Sequence, residues 1–144
     1  MIAGKPYIEE ELLGCKFRIS ARSFFQINPY ATRVLYSTAI EYAQLTGKET
    51  LLDLYCGTGK MGIIGAKKAK KVYGIEIVAD AILKIAPKNL VYVSCNLATL
   101  DRDVKILTDN GYQLEKVQPC DMFPQTVHVE TVVLMSRVPE KGLK

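Results

Sequence analysis

Apolar and polar positions follow strand and helix patterns in alternation along most of the chain. Residues 15–20 (CKFRIS) alternate as a strand does, and Asn28 with Pro29 marks the start of a helix to about Leu45. The other runs predict strands at Thr50–Tyr55, Lys71–Ile77, Asn89–Ser94, Tyr112–Cys120 and His128–Arg137, and helices at Lys60–Lys71 and from Asn96 to about Asn110.

The run from Thr50 to Ile77 forms a strand–turn–helix–strand unit, which implies a parallel sheet and the α/β fold class. One connection is short. Twelve residues separate Glu76 from Asn89, and Ala79–Ile85 offers at most two helical turns. A parallel crossover needs a dozen or more residues with a helix that covers the sheet, so this one is barely long enough.

Composition narrows the class of protein. The chain has 144 residues, of which 49% are apolar and 24% charged, as expected of one globular domain with its own core and not of a disordered chain. The longest stretch without a charge, Asn89–Leu100, is well under the ~18 residues of a membrane span. No secretory pattern opens the sequence, so we expect a cytoplasmic protein. The net charge of +4 permits an anionic partner.

Cysteine and histidine usage argues against a metal site. The four cysteines lie 25 or more residues apart, and His128 is the only histidine. Zinc and iron–sulfur sites need ligands grouped at short spacing, and a disulfide framework belongs to smaller secreted domains. We expect no metal.

A glycine-rich turn follows the Thr50–Tyr55 strand. Asp53 precedes Gly57, Gly59 and Gly62, and Glu76 ends the next strand. Glycines let the backbone approach a ligand, the helix offers free amides, and an acid at the end of the second strand accepts ribose hydroxyls. The pattern therefore predicts a nucleotide-type site.

Three ligands compete for this turn. ATP on a Walker loop does not fit, because Met61 follows Lys60 where Ser or Thr is needed. A dinucleotide fits, and S-adenosylmethionine fits equally. Asp53 favours the latter, since a carboxylate can hold its amino acid end but repels a pyrophosphate. The remaining interpretation is that the turn binds no ligand and only allows the helix to pack closely on the strand.

Cys95 and Glu130 are candidates for chemistry. Cys95 follows a buried strand and precedes a helix, a position that favours a thiolate, although most free cysteines are small buried hydrophobes. Glu130 begins an apolar strand, where burial would raise its pKa and suit a general base, although an acid in solvent at the strand edge explains it as well. His128 shares the strand face of Glu130.

Five segments together resemble the RNA uracil-C5 methyltransferase family, especially enzymes that make 5-methyluridine in 23S ribosomal RNA. In chain order they are SFFQIN (23–28), LDLYCGTG (52–59), GIE (74–76), LVYVSCNLATL (90–100) and DMFPQTVHVE (121–130). The resemblance implies a Rossmann-like, S-adenosylmethionine-dependent methyltransferase sheet. It implies RNA as the partner, with ribosomal RNA first and transfer RNA as the alternative.

The resemblance also implies roles for individual residues. Cys95 is the nucleophile that adds to uracil C6, and Glu130 is the base that removes the C5 proton. The cofactor contacts are Gln26, Asp53, Tyr55, Gly57, Gly59 and Glu76, and the substrate contacts are Phe24, Phe25 and His128.

The chain departs from the family near residues 79–82. The family's third and fourth strands, and the Asp-Pro-Pro-Arg-type motif that ends the fourth, are missing there, which corresponds to roughly 80 residues by the resemblance. We therefore expect one catalytic domain, residues 1–144. Residues 1–47 form a strand and helix that lead in, and residues 48–144 form the cofactor-binding and catalytic core.

The missing strands leave three hypotheses open. The first is a uracil methyltransferase whose sequence record is incomplete. The second is an inactive shortened piece that folds, as a homodimer if exchange completes the sheet, and binds cofactor or RNA weakly. The third, a nicotinamide-dependent dehydrogenase, rests on GxGxxG and is disfavoured by Asp53. The family's fourth strand lies between the first strand and the Cys95 strand, so without it these two must pair directly or another chain must fill the gap.

Overall fold

A computed structural model describes residues 6–20, 26, 28–75, 80–122, 124, 126 and 129–139. Within these ranges the chain forms seven strands and four helices. In chain order they are β1 (Tyr7–Leu12), β2 (Cys15–Ser20), α1 (Pro29–Tyr42), β3 (Thr50–Leu54), α2 (Lys60–Gly65), β4 (Lys71–Ile75), α3 (Asp80–Ile85), β5 (Asn89–Ser94), α4 (Leu97–Asp109), β6 (Tyr112–Cys120) and β7 (Glu130–Arg137).

The strands form three separate sheets. β1 and β2 make an antiparallel hairpin, β3 and β4 a parallel pair, and β5, β7 and β6 an antiparallel sheet with β7 in the centre. In the described residues β3 is hydrogen-bonded to β4 alone and β5 to β7 alone, so the direct pairing of β3 with β5 does not occur.

Helices α1 and α4 cover opposite faces of the β5–β7–β6 sheet. Side chains along β7 alternate between the two cores. Val132 and Leu134 pack with Leu35, Ala39 and Tyr42 of α1. Val133 and Met135 pack with Leu100 and Leu107 of α4. We call these the α1 face and the α4 face.

Asparagine caps fix the starts of both long helices. The Asn28 side chain accepts the Ala31 N–H at 3.1 Å, and Asn96 accepts the Thr99 N–H at 3.1 Å. The Asn28 amide also donates to the Met122 backbone oxygen at 3.1 Å, which ties the start of α1 to the chain after β6. Caps of this kind were predicted at both positions.

Most predicted elements are confirmed within a few residues, one helix was predicted too long, and one strand was not predicted. The helix predicted over Lys60–Lys71 ends at Gly65, and a turn leads from there to β4. β1 was not predicted, since its three consecutive glutamates, Glu9–Glu11, break the alternation of a strand.

Candidate active site

The glycine turn begins directly after β3 with a residue in the left-handed backbone conformation. The Tyr55 N–H donates to the Ile75 oxygen at 2.8 Å, which extends the parallel pairing by one residue. Tyr55 itself has φ 58°, an unusual value for a non-glycine residue, and its side chain is 59% exposed. The turn thus holds an aromatic ring in the open at the carboxyl end of β3.

Gly57 and Gly59 carry the chain over that end. Both have positive φ, 51° and 72°, and the Gly59 N–H donates to the Cys56 oxygen at 2.7 Å. A Cβ placed on Gly57 would meet nothing within 4 Å. The turn therefore presents bare backbone to open space, as a ligand that approaches closely requires.

Asp53 has a structural contact that sequence reasoning did not foresee. Its Oδ2 accepts the Gly62 N–H at 2.7 Å, which binds the first turn of α2 to β3. A Cβ on Gly62 would lie 3.0 Å from the same oxygen and 3.2 Å from the side chain of Val72. Glycine is thus needed at position 62 for close packing of helix on strand, whatever ligand the turn binds.

The register of β5 and β7 ends next to Cys95 and Glu130. The last pair of the ladder is Ser94 opposite Thr131, so Cys95 directly follows this pair and Glu130 directly precedes it in the chain. Glu130 is paired with Cys120 of β6. Since Val132 belongs to the α1 face, alternation along β7 puts Glu130 on that face.

The two groups differ in exposure. The Cys95 side chain is exposed, whereas Glu130 is half-buried. Burial raises the pKa of the Glu130 carboxyl above its usual value, because the charged form loses hydration. A half-buried carboxyl with a raised pKa can accept and hold a proton at that place.

Tyr36 of α1 lies between the two parts of the site and was missed by sequence reasoning. Burial raises the pKa of its phenol most, and the nearby carboxylates of Asp53 and Glu130 raise it further. Its ring packs against the α1 face and against the cluster formed by Leu12, Ile40 and Ile64. The signal was its spacing of four residues from Thr32 and from Ile40, both buried.

A second tyrosine, Tyr92, joins β5 to α4 on the other face of the sheet. The Tyr92 hydroxyl donates to Asp103 Oδ2 at 2.8 Å. Burial and this bond raise the pKa of Tyr92 to about 12, and the Tyr55 hydroxyl contributes to the rise. Tyr55 at the end of β3 is therefore near β5, although the two strands are not paired.

Comparisons with known proteins bear on this geometry. The tRNA (Uracil-5-)-methyltransferase family model matches residues 82–138, which include Cys95 and Glu130. An uncharacterized RNA methyltransferase of Bacillus cereus is 40% identical over an alignment of 194 residues that covers 96% of this chain. One of Listeria monocytogenes is 41% identical and covers 92%. The chain belongs to the RNA uracil-C5 methyltransferase family. It spans 42% of the length of these relatives.

Solved structures agree with the fold expected of this family. The Pyrococcus abyssi tRNA (uracil-54, C5)-methyltransferase, solved with S-adenosyl-L-homocysteine, superposes with a TM-score of 0.78 at 28% identity, over 92% of this chain and 45% of that one. The M. jannaschii TYW2 structure, in complex with AdoMet, superposes at 0.60 with 14% identity, over 96% of this chain and 90% of that one, which shows the fold alone. The prediction of a Rossmann-like methyltransferase sheet is confirmed.

The remaining predicted site residues of this chain divide into those that the structure describes and those that it does not. Phe24, Phe25, Glu76 and His128 lie outside the described residues. Gln26 is described and is half-buried. Among the described residues no group of His, Cys, Asp or Glu has the arrangement of a metal site, and no helix is long and apolar enough to cross a membrane.

Lys60 is a further residue at the turn. It begins α2 directly after Gly59. Its side chain is only 9% exposed, and burial lowers the pKa of its ammonium group. The glycine turn thus lies next to a buried amino group.

Proposed function

We propose that this chain is the catalytic part of an enzyme that methylates C5 of a uridine in RNA, with S-adenosylmethionine as methyl donor. The observation that carries the proposal is the end of the β5–β7 ladder at Ser94 and Thr131, which leaves Cys95 and Glu130 one residue beyond it. The uridine is expected in 23S ribosomal RNA, with transfer RNA as the alternative. An RNA substrate is also the reason to expect the protein in the cytoplasm.

The roles of the two residues follow from the chemistry of uracil. C5 is a weak nucleophile, so the Cys95 thiolate first adds to C6 and leaves an enolate with carbanion character at C5. C5 then bonds to the methyl group that the sulfonium cofactor supplies. Glu130 removes the C5 proton, the C5–C6 double bond re-forms, and the thiolate leaves. A raised pKa suits Glu130 to hold that proton.

The remaining roles concern binding. Gly57 and Gly59 leave room for the cofactor over the turn, Asp53 faces its amino acid end, and Tyr55 and Gln26 contact it. Glu76 is assigned to the ribose hydroxyls. Phe24 and Phe25 are assigned to stacking on the target base, which must leave its RNA stack to be reached, and His128 to a further substrate contact.

Trapping with 5-fluorouridine RNA tests the proposal. Fluorine at C5 cannot be removed as a proton, so the Cys95–C6 bond persists after methyl transfer. With transcribed 23S ribosomal RNA or transfer RNA containing 5-fluorouridine, the wild-type chain and Cys15→Ser should form a covalent band that needs S-adenosylmethionine, and Cys95→Ser should not. A band that survives Cys95→Ser would refute the assignment. Cofactor binding without a band would favour an inactive shortened protein.

We further propose that a segment present in the relatives is missing between β4 and α3, near residues 79–82. The Bacillus cereus alignment spans 194 residues and covers 96% of this 144-residue chain, which is about 138 residues, so about 56 aligned positions belong to the relative alone. That is fewer than the roughly 80 suggested by resemblance. The edges of β3 and β5 that are unpaired among the described residues are where a strand from that segment would fit.

The same open edges are the reason to consider a homodimer in which exchange completes the sheet. Grafting the additional stretch of the Bacillus cereus relative between Ile75 and Asp80 should give a monomer with a higher melting temperature. Sedimentation of the unmodified chain provides the comparison: a monomer at all concentrations would exclude the exchange dimer. A graft that leaves the melting temperature unchanged would refute the proposed position of the segment.

A further inference from the structure

A group of five lysines lies on two loops that the structure brings together. They are Lys48 before β3, and Lys67, Lys68, Lys70 and Lys71 between α2 and β4, and all five are exposed. We call this group the lysine surface. The loops are joined by the Lys70 and Lys71 N–H groups, which donate to the Glu49 backbone oxygen at 2.9 and 3.4 Å.

The loops enclose an open depression. Its volume is about 430 Å³, and its lining consists of Leu45, Thr46, Gly47, Lys67, Lys68 and Ala69. Lys67 also donates to the Leu13 oxygen at 2.9 Å, which fixes the β1–β2 hairpin at the rim. The lysine surface is therefore tied by hydrogen bonds to the backbone oxygens of Glu49 and Leu13 and is more than a charged run on a solvated helix.

Among the described residues, no carboxylate forms an ion pair with these ammonium groups. The two ion pairs there, Arg18–Glu9 and Arg102–Asp103, involve none of the five lysines. The one acid on the two loops, Glu49, accepts hydrogen bonds from the Thr46 hydroxyl and N–H, which hold the pKa of Glu49 at about 2 and keep it ionised. Five positive charges close to this one carboxylate leave an excess that attracts an anion.

The lysine surface lies away from the candidate active site. Lys71 pairs with Thr50 at the amino end of the β3–β4 sheet, whereas Asp53, Gly74 and Tyr55 lie at or next to the carboxyl end. Five residues of strand span roughly 16 Å. A mononucleotide bound in the active site could not reach the lysines, but a longer strand could.

We propose that the lysine surface binds backbone phosphates of the substrate RNA, in a segment that flanks the target uridine. The inference rests on the proposed function for the identity of the anion. Ammonium groups contact phosphates regardless of base sequence, so this surface sets the position and affinity of the RNA, and the active site selects the base. Each phosphate contact releases counterions and makes binding depend on salt.

Two triple variants of equal net charge test this. One, Lys48→Glu, Lys68→Glu and Lys70→Glu, reverses the lysine surface and leaves the Lys67 hydrogen bond intact. The control reverses three exposed lysines elsewhere, Lys84, Lys88 and Lys105. Binding to a fluorescein-labelled oligouridine of about 20 nucleotides is measured by anisotropy over a range of salt concentrations. Binding of S-adenosylmethionine is measured by calorimetry in parallel.

The first triple should lower RNA affinity about 100-fold in 0.1 M salt and reduce the salt slope by about 2, as loss of three phosphate contacts predicts, while the control changes it much less. Equal losses of RNA affinity in both triple variants, or no loss in the first, would refute the proposed role of the lysine surface in RNA binding. If the first triple variant still binds S-adenosylmethionine, the proposed function stands. If the wild-type chain binds RNA through these lysines but binds no cofactor, the proposed function fails and the surface remains.

Discussion

Strand β7, at the centre of the β5–β7–β6 sheet, and strand β3, of the β3–β4 pair, are built from similar apolar runs but are buried very differently. In β7 the stretch from Thr131 to Met135 is buried throughout, because β7 has a strand on each side and a helix on each face. In β3 no residue is fully buried. Parallel strands normally have both faces and both edges covered, so β3 lacks the support its sequence is built for.

This contrast separates the two halves of the candidate active site. Glu130 begins β7, the buried central strand, whereas Cys95 directly follows β5, in which no residue is fully buried. The glycine turn is carried by β3, which within the described residues has β4 as its one neighbour. The position of Glu130 should therefore be more robust than that of the cofactor turn.

The largest expected effect compares side chains from the two sheets. Met135 is fully buried on β7, so Met135→Ala should lower the free energy of unfolding by about 2–5 kcal/mol, through lost burial and a cavity. Leu52 is half-buried on β3, so Leu52→Ala should lower the free energy of unfolding by only about 1 kcal/mol. Urea unfolding measures both. Equal losses would show that β3 is covered in solution, for example by a second copy of the chain.

The next effect concerns the contact between β3 and α2. Gly62→Ala pushes a methyl group against Asp53 Oδ2 and Val72, so we expect a loss of about 1–3 kcal/mol and weaker binding of S-adenosylmethionine. Ile63→Ala, at an exposed position of the same helix, is the control and should leave cofactor affinity unchanged. Calorimetric titration and thermal unfolding read out the two effects. Wild-type affinity in Gly62→Ala would mean that Asp53 does not shape the turn.

The sequence predicts local features of the molecule well and long-range features less well. The Asn28 and Asn96 caps, the Asn89–Ser94 strand and the glycine turn each depend on a few neighbouring residues, and all are found as predicted. The connection between β4 and β5 was also predicted to be too short for an ordinary crossover, because the number of residues can be counted in the sequence.

Tyr36 and the hydrogen bond of Asp53 could not be predicted in the same way. The position of Tyr36 depends on the packing of α1 against two separate clusters, the α1 face and the cluster of Leu12, Ile40 and Ile64. The spacing of apolar residues along one helix does not indicate that packing. Asp53 was interpreted as a ligand-binding group because its position before the glycines suggested it. That Gly62 donates to it depends on the close approach of α2 to β3.

The smallest effect compares two carboxylates of the β5–β7–β6 sheet by their response to pH. Burial raises the folded-state pKa of Glu130 above 4.5, its value in an unfolded chain. Its contribution to stability is therefore fully present below pH 4.5 and is lost as the pH rises through the folded-state pKa. Glu130→Gln should raise the free energy of unfolding at neutral pH by less than about 1 kcal/mol, since the group is only half-buried, and should have no effect at about pH 4.

Glu115 should respond in the opposite sense. Hydrogen bonds from Ser136 and Gln113 lower its pKa, so its contribution is present above pH 4.5 and is lost as the pH falls through the lowered value. Glu115→Gln should thus destabilise the protein at neutral pH. Melting temperatures of the wild type and both variants across this pH range give the comparison. A stabilising Glu115→Gln would mean that the hydrogen bonds from Ser136 and Gln113 do not stabilise the Glu115 carboxylate. A Glu130→Gln that destabilises at neutral pH would mean that Glu130 is solvated or paired and is not held as a base with a raised pKa.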